Sequence, residues 1–135
     1  MVALAIAIGP ALTGDGSHPD AETFAYQATL PGPVEELAFR GVALALLLRT
    51  YGAPLRTRGA AMAAALTTAI WFTGGHVVHL MDDGTIKLTW ARLLDVFPMA
   101  ILYAAVRLRS KSLLGGILAH NGANTLVETV AFMRF

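Results

Sequence analysis

The sequence predicts an all-α fold, a polytopic membrane bundle of about four transmembrane helices preceded by a short apolar or interfacial N-terminal segment. Three observations lead there. Of 135 residues 56% are apolar and 14% charged, with a mean hydropathy of +0.60, whereas soluble domains carry about 25% charged residues. The apolar residues gather into long runs separated by turns rich in Gly, Pro and charge. No run alternates as a half-buried strand does, and in lipid a helix satisfies its own backbone groups.

Composition also narrows the function. The net charge is +1 and no basic stretch is interleaved with aromatics, so a nucleic-acid partner is not expected. The absence of cysteine removes disulfides, thiolate metal ligands and a cysteine nucleophile. The expected setting is the lipid bilayer of a cell membrane, crossed several times.

In chain order, residues 1–30 read as an N-terminal apolar segment and loop, the remnant of a longer protein, and residues 31–135 as the membrane core. Met1–Leu12 is apolar but shorter than the roughly 20 residues of a span and lacks the basic start of a signal peptide. Thr13–Ala21 is a loop by composition. Glu22–Leu30 is a short interfacial helix with Phe24 and Tyr26. Pro31-Gly32-Pro33 interrupts it, and Pro33 suits the first turn of the next helix.

Four long helices are expected after that. The first runs from Val34 to Tyr51 and ends at Gly52-Ala53-Pro54. The second runs from Gly59 to Leu80, followed by the polar turn Met81–Lys87. The third runs from Leu88 to Val106 with Pro98 as a kink, and the fourth from Ser112 to Met133. Small residues (Ala60, Ala61, Ala63, Ala64 and Ala65; Gly115 and Gly116) would let the second and fourth helices pack closely. Arg49, Arg56 and Arg58 surround one turn, and Arg107, Arg109 and Lys111 another. Both would face the cytoplasm.

The residues able to do chemistry lie within these apolar runs, where charge is costly. Glu36 and Arg40 are four apart and pair on one helical face. Glu35 then points about 100° away, toward another helix. Apolar surroundings would make it a suitable general base. The plain alternative is that both carboxylates favour a helix N-terminus. His76 and His79 are three apart and share a helical face, a weak metal pair. His79 reads equally as an interfacial residue. His120 and Asn124, four apart, can both donate to one developing oxyanion, or serve as polar glue between helices. Asn121 reads as packing. Arg92 and Asp95 read as an internal ion pair, and Glu128 as a solvated residue near a helix end.

Glu35-Glu36-xxx-Arg40, then Phe72-xxx-His76, then His120-xxx-Asn124, in this order on separate apolar helices, resembles the CPBP family, which comprises type II CAAX prenyl endopeptidases and bacteriocin-processing or Abi membrane proteins. The approach Ser112-Leu113-Leu114-Gly115-Gly116-Ile117-Leu118-Ala119-His120 adds to the resemblance, which covers about residues 31–130. It implies an intramembrane endopeptidase that hydrolyses a peptide bond near the C-terminus of a prenylated or other hydrophobic peptide. By position, it implies Glu35 as the catalytic glutamate acting with His76, His120 and Asn124 as the oxyanion pair, and Glu36 and Arg40 in support. The family has been described both as metalloproteases and as metal-independent glutamate proteases. Glu35, Glu36, His76 and His120 would be the ligands of a divalent metal such as zinc. Two other readings compete: a non-catalytic immunity or scaffold module of the same fold, and a carboxylate–histidine proton relay. The relay is disfavoured by the apolar stretch from Gly59 to Trp71, polar only at Thr67 and Thr68. Oligomeric state is not legible.

Overall fold

The structure, a computed structural model, describes residues 20–50 and 58–133. The Met1–Leu12 segment, most of the Thr13–Ala21 loop and the Gly52-Ala53-Pro54 turn with Arg56 lie outside the described residues.

Helix α1 spans Ala21–Thr29. Its N-cap is Asp20, whose carboxylate accepts from the Thr23 N–H at 2.7 Å, satisfying one orphan donor of the first turn. That backbone hydrogen bond holds the Asp20 carboxyl below its usual range. The next helix, α2, spans Pro31–Glu36 and so begins three residues before the expected Val34; Pro33 lies in its first turn, as expected, and Pro31 takes the first position, where no N–H is needed. The chain stays helical from there through a π-helical segment, Leu37–Ala43, into α3, Leu44–Thr50. The Leu44 N–H reaches back five residues to the Phe39 carbonyl. Such wide turns are concentrated at functional sites, and this one begins directly after Glu36.

Helix α4 spans Arg58–Val77. The expected second helix ended at Leu80 and the third began at Leu88. Instead Val78–Leu80 is strand β1 and Ile86–Leu88 is strand β2, an antiparallel hairpin with Val78 opposite Leu88 and Leu80 opposite Ile86. The reason is local. Gly74 and Gly75 weaken the helix end, and Val77 and Val78 favour extended backbone. At the turn, Gly84 adopts a positive φ of 80° and Asp83 accepts from both the Thr85 hydroxyl at 2.6 Å and the Thr85 N–H at 2.9 Å. The hydroxyl bond first, then the backbone bond, holds the Asp83 carboxyl below its usual range.

Helix α5 spans Arg92–Ser110 and contains Pro98; Lys111 ends it in the left-handed conformation at φ 58°. Arg92 and Asp95 form the expected ion pair at 3.1 Å. Helix α6 spans Leu114–Met133. Helices α4 and α5 pack closely through Ala64, Ala69, Ala100 and Ala104, all essentially inaccessible. Ala69, Phe72 and Ala100 form the core, with Phe39, Val96, Phe97 and Ile101 against it. Helices α1, α2 and α5 surround α6. Its glycines therefore do not serve contact with α4, as the sequence reading had it. Gly115 faces Val106 of α5, and Gly116 faces Glu36 of α2.

Among the described residues no helix is long and apolar enough to cross a membrane. The all-helical architecture stands, while the four spans do not emerge as continuous apolar helices. Arg92, Asp95, Arg107 and Arg109 interrupt α5; His120, Asn121, Asn124 and Glu128 interrupt α6.

Candidate active site

The centre of the molecule is polar. Glu36, Arg40, Thr68, Thr73 and His120 are buried. Arg40 Nη1 lies 3.1 Å from Glu36 Oε1, both side chains 1% exposed. The arginine is further held by its Nη2, which donates to the Ala100 carbonyl at 3.0 Å. Its guanidinium carbon lies 4.5 Å from the Phe72 ring centre and 5.4 Å from that of Tyr103, where a desolvated cation gains from the ring quadrupole. A buried charge of this kind persists only with such compensation.

Glu36 joins α2 to α6. Its Oε1 is 3.0 Å from His120 Nδ1. A carboxylate only accepts, so Nδ1 carries the proton. Tyr103 stacks on the His120 ring at 5.1 Å and 14°, which fixes the ring plane. In the neutral tautomer the Nε2 lone pair then faces Glu35, 3.7 Å from its Oε2.

His76, near the end of α4, is oriented by the same logic. Its Nδ1 is 2.9 Å from the Phe72 carbonyl, an acceptor, so Nδ1 donates there too. His76 packs on Phe72 at 4.6 Å and presents Nε2 to Glu35 Oε2 at 3.9 Å. Two imidazole lone pairs and a carboxylate oxygen thus face one region, and Glu35 Oε2 is buried without a hydrogen-bond partner. Glu35 and His76 keep 30% and 38% of their side-chain surface exposed, so the cluster opens outward on that side.

The remaining candidates fall elsewhere. His79 lies on β1, opposite Lys87 and exposed, so the helical face it was expected to share with His76 does not exist. Asn124 Nδ2 donates to Gln27 Oε1 of α1 at 3.0 Å, and no contact joins it to Glu35 or His76. Asn121 accepts from the Gly32 N–H at 2.7 Å. Gln27 and Gly32 were not singled out in the sequence. Their partners lie 97 and 89 residues away, beyond any local pattern.

The conditional metal set Glu35, Glu36, His76 and His120 does not assemble. Glu36 and His120 Nδ1 are engaged with each other and with Arg40, and among the described residues no group of three or more His, Asp or Glu side chains is arranged to hold a metal ion.

Residues 20–126 match the family model of the Rce1-like type II CAAX prenyl endopeptidases. The chain belongs to this family. Its members are membrane proteins and its class is that of proteases. The match spans α1 to α6 and contains Glu35, Glu36, Arg40, His76, His120 and Asn124. No curated protein and no solved structure matches the chain.

Proposed function

We propose that this Rce1-like chain is an intramembrane endopeptidase that cleaves near the C-terminus of a prenylated, CAAX-type, or other hydrophobic peptide. The observation that carries the reading is the convergence of Glu35 Oε2, His76 Nε2 and His120 Nε2, with 3.9 and 3.7 Å separating the carboxylate from the two rings. Those distances are too long for direct hydrogen bonds and suit one water between the groups. Two imidazole acceptors around the Glu35 carboxylate call for a proton donor, and water is the donor that hydrolysis needs.

Glu35 removes a proton from that water as it attacks the scissile carbonyl, and returns the proton to the departing amine. His76, held at Nδ1 by its own helix, orients the water. For the oxyanion role His120 takes a proton from solvent at Nε2 while its Nδ1 stays on Glu36, so that Nε2, an acceptor in the resting site, becomes a donor to the oxyanion. One such donor is worth roughly 2.7–4 kcal/mol of barrier. Asn124 supplies a second donor. Its amide is oriented by Gln27, which leaves the other N–H of Nδ2 for the substrate.

A membrane setting is supported by the distribution of residues. Glu36, Arg40 and His120 are inside, while Met62, Ile70, Trp71, Leu94 and Leu118 are each at least 63% exposed. Large apolar groups on the outside and charges within fit lipid as the outer solvent. The runner-up is a non-catalytic membrane module, favoured by how well Glu36, Arg40 and His120 would lock the helices by themselves.

The test is incubation of the purified protein in lipid nanodiscs with a farnesylated CAAX peptide and with an unprenylated hydrophobic peptide, with and without a chelator, read by mass spectrometry. Release of a C-terminal fragment is the expected result. Intact peptides under every condition would favour the module.

A further inference from the structure

We propose that a cationic pocket beside the active-site helix binds the phosphate headgroup of an anionic phospholipid. The pocket lies between α3 and the C-terminal end of α5, with Arg40 in its lining, and has a volume of about 170 Å³. Arg40, Arg107 and Lys111 contribute cationic side chains, and Leu44, Leu48 and Leu108 an aliphatic wall. No acidic residue lines it among the described residues.

Arg40 is paired with Glu36, but Arg107 and Lys111 bring two further cations to the same small space, and these repel one another unless an anion joins them. Two of the three keep unused donors. The Nε atoms of Arg40 and Arg107 are both buried without a hydrogen-bond partner, although Arg40 is 1% exposed. A buried guanidinium N–H left unpaired is costly, and a phosphate, with several acceptor oxygens, satisfies such donors with charge-assisted bonds. The position fits an interfacial headgroup. Lys111 ends its helix and Arg107 is one turn inward, so both can reach a phosphate at the bilayer surface. The leucines continue the path along which an acyl chain would lie. A free inorganic anion would leave that wall without a function, so the lipid is the better occupant.

The pocket stands apart from Glu35, His76 and His120, so the proposal does not depend on catalysis. Binding of phosphatidylglycerol to the purified full chain in phosphatidylcholine nanodiscs would be measured by titration, for the wild type, Arg107→Gln, Lys111→Gln, Arg107→Lys and Arg109→Gln. Thermal unfolding in pure phosphatidylcholine identifies the variants that fold, and Lys111→Gln, at an exposed helix end, keeps the test available if Arg107→Gln does not. The expected result is saturable binding, weakened about tenfold by Arg107→Gln and by Lys111→Gln, as loss of a charge-assisted contact implies. Arg107→Lys should recover part of it and Arg109→Gln, outside the pocket, should leave it intact. Equal loss in Arg109→Gln would mean diffuse surface attraction and overturn the proposal. An equal effect of inorganic phosphate would also overturn it, by reducing the pocket to a simple anion site.

Discussion

Glu35 and Glu36 are neighbours with the same side chain and different surroundings. Glu36 is sealed between Arg40, His120 and Gly116, and Glu35 is partly open between two imidazoles. Glu36→Gln should therefore act through stability. It leaves Arg40 as an unpaired buried charge, a change that costs on the order of 3–5 kcal/mol, and thermal unfolding in detergent would register it as a large fall in Tm. Gln27→Ala should act through turnover. It frees the Asn124 amide from its orienting partner, so kcat should fall with little change in Tm, and unchanged kcat would remove Asn124 from the oxyanion site. At this scale the sequence carried half the information. The four-residue spacing of Glu36 and Arg40 is enough to pair them. Which imidazole nitrogen faces which carboxylate depends on Phe72, Tyr103 and the approach of α6 to α2, and no spacing encodes that.

At the scale of the element, two features escaped the pattern of apolar runs. The π-helical segment after Glu36 has the composition of an ordinary helix, and it carries Arg40, which reaches the Ala100 carbonyl across the bundle. The β1–β2 hairpin was hidden because three-residue strands are too short for alternation to be read. Its turn chemistry, Asp83, Gly84 and Thr85, was the available signal. The close contact of α2 with α6 gives a further prediction. A Cβ on Gly32 would sit 2.8 Å from the Ile117 carbonyl oxygen and also meet the Asn121 amide, so Gly32→Ala should destabilise the protein and displace α2. Gly115→Ala would place a methyl 3.1 Å from Val106 Cγ1, a side-chain methyl that has to give by a few tenths of an ångström, where Gly32→Ala meets a backbone oxygen. The expected order of Tm is wild type, then Gly115→Ala, then Gly32→Ala; a reversed order would contradict the packing described.

For the whole molecule, all-helical content was legible from composition and turn spacing. The residues that interrupt the runs were legible too; their partners on other elements, Gly32 for Asn121, Glu36 for His120 and Gln27 for Asn124, were not. The distribution of exposed apolar and buried polar residues is the argument for lipid contact. Of the two tryptophans, Trp71 on α4 is 66% exposed. In a Trp90→Phe background, brominated lipids should quench its fluorescence strongly. Quenching only by a water-soluble quencher would argue that this face meets water.

The central claim is that Glu35 is the base and Glu36 the scaffold. Its most direct test is the kcat for cleavage of a farnesylated peptide by wild type and Glu35→Gln in the same nanodiscs, with Tm measured on both. The account predicts a Tm within about 2 °C of wild type, the shift of well under 1 kcal/mol in a domain this size, and cleavage lost to background. Wild-type turnover by Glu35→Gln, or loss of activity matched by an equal loss of fold, would contradict it.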